Sequence, residues 1–190
     1  MSNFRLILFL LLFQIQYIYS DAYLDYKSPF HPTVSTKGMV VSQNIESSEI
    51  GVMILESGGN AVDAAVAVGF SLATTLPRAG NIGGGGFMLV YISETKELFS
   101  IDYRSRSSLN SNLKDLFGSK SPAQIKDDDY DLTKYSYKAS AVPGTVYGLL
   151  EAHERFGKLP LDEIMQPVIN QAKDGIIVSY DLHNAIGSSN

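Results

Sequence analysis

One helix limits what this chain can fold into. Asn60 is a strong helix N-cap, and Asp63 three residues on completes a capping box with Asp in the place of Glu. From there residues 61–72 are apolar almost all round. A helix with no polar face has to be buried on every side. Its many alanines and Gly69 let neighbouring backbones come close. Layers on more than one side of this helix are therefore expected, which asks for more than 190 residues comfortably build.

The segments around it supply candidate layers. Residues 38–42 are short, apolar and rich in Val, and predict a buried strand. Ile50, Met53 and Ile54 share one helical face, so the spacing predicts a helix over 44–57, stopped by Gly58-Gly59. Glu46 and Glu49 suit the positive end of its dipole. After a glycine-rich loop over 77–86, residues 87–91 and 98–103 read as two apolar strands joined by a polar turn at 93–96. Both are apolar on both faces for most of their length, which predicts a sheet covered on both sides. Residues 104–137 are polar and irregular, with a short helix over 109–117. Thr145 is the expected cap of a helix reaching Phe156, where Gly157 stops it. A further helix spans 161–173 with Pro167 inside it, where proline tends to kink, and Ser179 caps a last helix.

The first 22 residues have another logic. The amino terminus and Arg5 are positive, residues 6–13 are an unbroken apolar run, and Ser20-Asp21-Ala22 is a small-x-small triplet. That order predicts a secretory signal peptide over 1–22, cleaved near Ala22, and a mature chain over 23–190 that is periplasmic or secreted. The apolar run is too short to span a bilayer, which takes about 20 residues. No later segment is long enough either, so no membrane span is expected after cleavage. The formal net charge of −5 argues against nucleic acid as a partner. The absence of Cys excludes disulfides, thiolate metal sites and a Cys nucleophile.

Several motifs suggest chemistry and fail on context. The glycine run at 83–86 follows a helix and precedes a strand, whereas a phosphate loop needs strand, loop, helix. Close backbone approach, to a neighbour or a ligand, explains it better. Ser71 sits in a degraded G-x-S-x-G but inside a helix, not at a strand-to-helix elbow. Asp127, Asp129 and Asp131 begin like a calcium loop, but Leu132 and Lys138 stand where Gly and Glu are needed. His153-Glu154 lacks the second His of a zinc helix because Gly157 takes its place. His31, His153 and His183 are scattered. No metal and no cofactor are expected.

Arg104 is different. It follows Ile101-Asp102-Tyr103 at the end of an apolar strand, where a sheet holds its backbone and its fork faces outward. A guanidinium so placed suits bidentate grip on a carboxylate. An ion pair with Asp102 or Glu97 is the structural alternative.

Taken in order, the motifs resemble a known family. They are Gly38-Met39-Val40-Val41, Gly58-Gly59-Asn60-Ala61-Val62-Asp63-Ala64-Ala65, Gly83-Gly84-Gly85-Gly86-Phe87-Met88, Ile101-Asp102-Tyr103-Arg104, Ala141-Val142-Pro143-Gly144-Thr145 and Phe156-Gly157-Lys158-Leu159-Pro160. Together they resemble the γ-glutamyltranspeptidase (glutathione hydrolase) family, from about Lys37 to Asp181. The resemblance implies an α/β (α+β) fold, the αββα four-layer sandwich of N-terminal-nucleophile hydrolases, of which only the N-terminal portion is present. It implies a precursor that cuts itself before a Thr. That Thr takes the γ-glutamyl group of glutathione and passes it to water, amino acids or peptides, with its own α-amine as base.

By the same resemblance Arg104 is the substrate-binding residue that holds the α-carboxylate. The family commonly continues with Glu and then x-Ala-Pro, whereas this chain has Ser105-Arg106-Ser107-Ser108, so Arg106 is a competitor for that role. The nucleophile belongs to a T-T-H-x-S-like motif, which Thr74-Thr75 followed by Leu76-Pro77 does not match. No catalytic residue is therefore expected in this chain. The implied partners are glutathione, other γ-glutamyl compounds and a C-terminal small subunit. The chain ends at Ser188-Ser189-Asn190 just after a helix has begun, which favours a truncated piece that is inactive by itself. The alternative function is a periplasmic binding module for γ-glutamyl compounds or amino acids, built on Arg104.

Overall fold

The computed structural model describes residues 32–126 and 137–187. The leader over 1–22, His31 and the triplet Asp127, Asp129, Asp131 lie outside the described residues. The chain divides into Met1–Lys37 and Gly38–Asn190. Of the first unit, residues 32–37 run without regular structure, as the extended lead-in requires.

The second unit is mixed α/β. Helix α1 spans Ile45–Glu56 and α2 spans Ala61–Thr75. Strands β1 (Phe87–Ile92) and β2 (Glu97–Asp102) form an antiparallel hairpin. A short α3 (Leu113–Phe117) follows, then α4 (Thr145–Phe156), α5 (Leu161–Asp174) and α6 (Tyr180–Gly187).

Helix α2 is the centre, and α1, α4 and α5 all pack on it. Its start is built as its sequence implies. Asn60 Oδ1 accepts from the N–H groups of Val62 and Asp63, and Asp63 Oδ2 accepts from Asn60 N at 2.9 Å. Val66 and Ala67 are fully buried, and Gly69 lets the side chain of Leu149 from α4 lie directly against the helix. Burial is not complete on every side, because Ala61 and Ala65 are exposed. Those two alanines face a groove that β1 borders.

Asp63 does more than cap. Its carboxylate is fully buried and also accepts from Lys158 N at 3.0 Å and Leu159 N at 3.2 Å. Asn60 Nδ2 meanwhile donates to Phe156 O at 2.6 Å. The start of α2 thus fastens the turn between α4 and α5. His153 joins this knot, with Nε2 2.8 Å from Leu159 O and 3.9 Å from Asp63 Oδ1. On the other side, Ser71 Oγ lies 2.7 Å from Gln171 Oε1 of α5, to which it donates, and 2.7 Å from Ser47 Oγ of α1, and Ser47 meets Thr75 at 2.9 Å. Ser71 is the buried helical serine that its context implied.

The hairpin follows strand alternation. Val90 and Ile101 are buried in the core with Met88 and Phe99 packed beside them. Phe87, Leu89, Tyr91 and Leu98 point the other way and are exposed. The sheet is therefore covered on one face, not both. Strand β1 is apolar throughout, whereas β2 carries Glu97, Ser100 and Asp102, and the outward Phe87, Leu89, Tyr91 and Leu98 are left exposed among the described residues. The described residues thus supply one helical layer and one two-stranded sheet of the expected sandwich.

Other expectations need correction. Residues 38–42 form no strand, because among the described residues they join no ladder, and a strand exists only in a ladder. Val40 still packs on the core while Met39 and Val41 are exposed. The cap of α4 is Gly144, not Thr145, which is the first helical residue and makes no side-chain cap. Pro167 lies inside α5 without breaking the helix. Ser179 does cap α6, its hydroxyl accepting from Leu182 N at 3.1 Å.

Candidate functional site

The chain leaves β2 as Tyr103-Arg104-Ser105-Arg106. The hairpin ladder extends one step past the strands, with Tyr103 N donating to Gly86 O at 3.1 Å and Gly86 N to Tyr103 O at 3.3 Å. Gly144 N and Thr145 N, at the start of α4, donate to Gly84 O at 2.8 and 3.2 Å. The glycine run is thus wedged between the exit of β2 and the start of α4. The partner of its close approach is the protein's own backbone.

The packing leaves no room for side chains there. A Cβ on Gly85 would meet Ser105 N and lie 2.9 Å from the Arg104 carbonyl carbon. A Cβ on Gly144 would strike the Tyr103 carbonyl oxygen, and one on Gly148 would strike the Tyr103 ring. These glycines fix the backbone on which Arg104 stands. Tyr103 is half-buried among them, and burial pushes its phenol above its ordinary value.

Two residues on, Arg106 forms an isolated antiparallel bridge with Val142. Arg106 N donates to Val142 O at 3.1 Å, and Val142 N to Arg106 O at 2.7 Å. The bridge closes the base of the irregular excursion. Between it and α4 lies a cleft of about 400 Å³, lined by Asp102, Arg104, Arg106, Pro143 and Tyr147 among others.

The structure places Arg104 in that cleft, exposed, at a strand end. The ion pair with Asp102 or Glu97 is not formed. Asp102 Oδ1 instead accepts the backbone N–H of Arg104 at 3.0 Å. The arginine ion pairs among the described residues join Arg78 to Asp181 and Arg155 to Glu151, and His153 Nε2 stands 3.9 Å from Asp63 Oδ1. Among the described residues the Arg104 guanidinium therefore has no carboxylate partner. What the cleft can do is hold an anion through a charged fork on a fixed backbone.

A larger groove of about 630 Å³ lies elsewhere, between the start of α2 and β1. Its walls are mainly apolar, including Ala61, Ala65 and Met88. Its charged lining residues, Glu94 and Lys158, are one of each sign, so it lacks the excess positive charge of the Arg104 cleft, and the candidate site is placed at the smaller cavity. Among the described residues no group of three or more His, Asp or Glu could hold a metal ion. His153 serves the turn after α4, and His183 is exposed on α6.

The sequence singles out Arg104, which lies in the cleft, but does not reveal its setting. The roles of Gly144 and Gly148 were hidden because their partner, Tyr103, is about forty residues away in sequence. The only available signals were the glycine run and the Val142-Pro143-Gly144 turn.

Comparison with known proteins agrees with this architecture. The sequence model of the Gamma-glutamyltranspeptidase family matches residues 47–190. The glutathione hydrolase proenzyme of Escherichia coli (strain K12) is 43% identical over 150 residues, which is 79% of this chain and 25% of that protein. The structure of a gamma-glutamyltranspeptidase from Pseudomonas nitroreducens complexed with L-DON superposes with a TM-score of 0.72 at 36% identity, covering 82% of this chain and 44% of that one. The gamma-glutamyltranspeptidase of Helicobacter pylori gives a TM-score of 0.73 at 31% identity, covering 84% of this chain and 44% of that one. This chain therefore spans about a quarter of the length of the curated relative it matches. The shared fold is the mixed α/β one that the motifs implied. The sequence match runs from within α1 through α2, the hairpin and α4 to α6, and the solved structures superpose over more than four-fifths of the chain: the chain belongs to the gamma-glutamyltranspeptidase family.

Proposed function

We propose that this chain is the substrate-gripping N-terminal part of an exported glutathione hydrolase, with Arg104 holding the α-carboxylate of the γ-glutamyl group. The observation that carries the reading is the Arg104 guanidinium, unpaired among the described residues, standing in a cleft on a backbone that glycines hold in place. A carboxylate bound by a guanidinium is worth more than a neutral hydrogen bond and is oriented by the fork.

The chemistry would come from elsewhere. Ser71 and Thr75 are buried in a hydroxyl network and cannot reach a substrate. The attacking Thr belongs to chain beyond these residues, on a small subunit that completes the protein. Its hydroxyl oxygen bonds to the γ-carbonyl carbon, the C–N bond breaks, and the leaving amine takes the proton. Water or an amine then cleaves the ester. Arg104 takes no proton in this sequence. It fixes the donor so that the γ-carbonyl meets the nucleophile.

Export is the second part of the proposal. It rests on the charged, apolar and small-residue order of residues 1–22. Among the described residues no helix is long and apolar enough to cross a membrane.

The test is coexpression of this chain with the C-terminal part of a matched relative, following release of cysteinylglycine from glutathione. The chain alone is expected to release none, and the pair to restore it. Arg104→Ala in the pair should raise KM for glutathione about tenfold or more with a smaller change in kcat. An unchanged KM would remove Arg104 from the site.

A further inference from the structure

The Arg104 cleft holds a second guanidinium, that of Arg106. The chain here is extended, and residues two apart in an extended chain project to the same side. Burial follows that rule, with Arg104 and Arg106 exposed and Tyr103 and Ser105 half-buried between them. Both backbones are fixed. Arg104 is held by the Gly85 contact and Arg106 by its paired hydrogen bonds to Val142 at 3.1 and 2.7 Å. Successive same-side residues stand about 7 Å apart, so two anchored forks address one opening.

The charge count is informative. Among the described residues the cleft carries Arg104, Arg106 and Asp102, two positive and one negative. A γ-glutamyl head group is a zwitterion, its α-carboxylate balanced by its α-ammonium, so it leaves the excess positive charge unmatched. A ligand with one more carboxylate matches it.

Resting on the reading of Arg104 above, we propose that Arg106 binds a second carboxylate on the leaving part of the ligand. The cleft then favours γ-glutamyl peptides that end in a free carboxylate over γ-glutamyl amides and anilides. Arg106 is a specificity residue. Arg104 grips what all γ-glutamyl compounds share, and Arg106 grips what only the acidic ones carry.

The test is calorimetric titration of the whole chain with two probes, glutathione and γ-glutamyl anilide. Arg106→Ala should weaken glutathione about tenfold and leave the anilide unchanged. Arg106→Gln, which keeps most of the side-chain length, should behave as Arg106→Ala does, and circular-dichroism melts establish that both variants are folded. High salt should shrink the preference for glutathione, because exposed charges are screened. If the Arg106 variants weaken both probes equally, or neither, while Arg104→Ala weakens both, the inference fails and the Arg104 reading stands. If Arg104→Ala changes neither probe, the Arg104 reading fails. If the wild-type chain binds neither probe, the Arg106 inference is overturned, and the Arg104 reading is decided by the KM of the coexpressed pair.

Discussion

Helix α2 and the β1–β2 hairpin are both apolar along most of their length, yet they end in opposite surroundings. Helix α2 is packed by α1, α4 and α5, and its single ionised side chain, Asp63, is spent on backbone N–H groups of its own start and of the turn after α4. The hairpin has one dry face and one open face, and beyond it the chain presents Arg104 and Arg106 to solvent. Charge inside the first region is committed to structure. Charge at the edge of the second is exposed and, among the described residues, makes no ion pair. On the function proposed above, stability and recognition would be carried by different residues, joined where the glycine run meets Tyr103.

The largest blow to that division would fall on Asp63. Asp63→Ala takes the acceptor from the half-buried N–H groups of Asn60, Lys158 and Leu159 and empties the fully buried site of the carboxylate, at a cost of about 3–5 kcal/mol. That is a large share of the roughly 5–15 kcal/mol holding an ordinary domain. Urea denaturation should show it as a strongly lowered midpoint. A loss below about 1 kcal/mol would mean that Asp63 is not the fastening point.

Gly144→Ala probes the joint between the regions. The added Cβ would strike the Tyr103 carbonyl oxygen, which is backbone and moves only with β2. A cost of about 1–3 kcal/mol is expected, with weaker ligand binding, because Arg104 shifts with Tyr103. Melting and titration of the same preparation check both effects.

The two faces of one strand give a cleaner contrast. Val90 is 6% exposed and Leu89 73% exposed on adjacent positions of β1. Val90→Ala should cost about 1.5–3 kcal/mol, and Leu89→Ala under about 0.5 kcal/mol. Comparable losses would mean that the outer face of the hairpin is covered in solution.

The smallest effect is one of pH. Burial raises the Tyr103 phenol above its ordinary value of about 10, so the folded chain holds that proton more tightly than the unfolded chain. The resulting stability is fully present below pH ~10 and is lost as pH rises from there through the folded value. Tyr103→Phe should flatten this alkaline decline in a series of melts, and an unchanged decline would assign it to another group.

What the sequence reveals divides along the same line. The capping box of Asn60 and Asp63, the apolar face of α2 and the start of α6 at Ser179 depend on neighbours a few residues away, and all are legible. The strand expected over 38–42 is not, because a strand is defined by a backbone partner that no local pattern supplies. The open face of the hairpin is missed for a related reason. An apolar strand states that it can be covered, not that these residues cover it. At the site, Arg104 is legible from its place after an apolar strand and from its family motif. The contact of Gly144 with Tyr103 is not, since it joins segments far apart in the chain. Arg106 is legible only as a departure from the family pattern, and its meaning waits on the cleft it shares with Arg104.

The central claim is that Arg104 serves recognition and not stability. The most direct measurement is a paired one on wild type and Arg104→Ala, a thermal melt and a calorimetric titration with glutathione. The account predicts melts that coincide within the equivalent of about 0.5 kcal/mol and an affinity lowered about tenfold or more. A variant that melts early but, while folded, binds glutathione like wild type would contradict it.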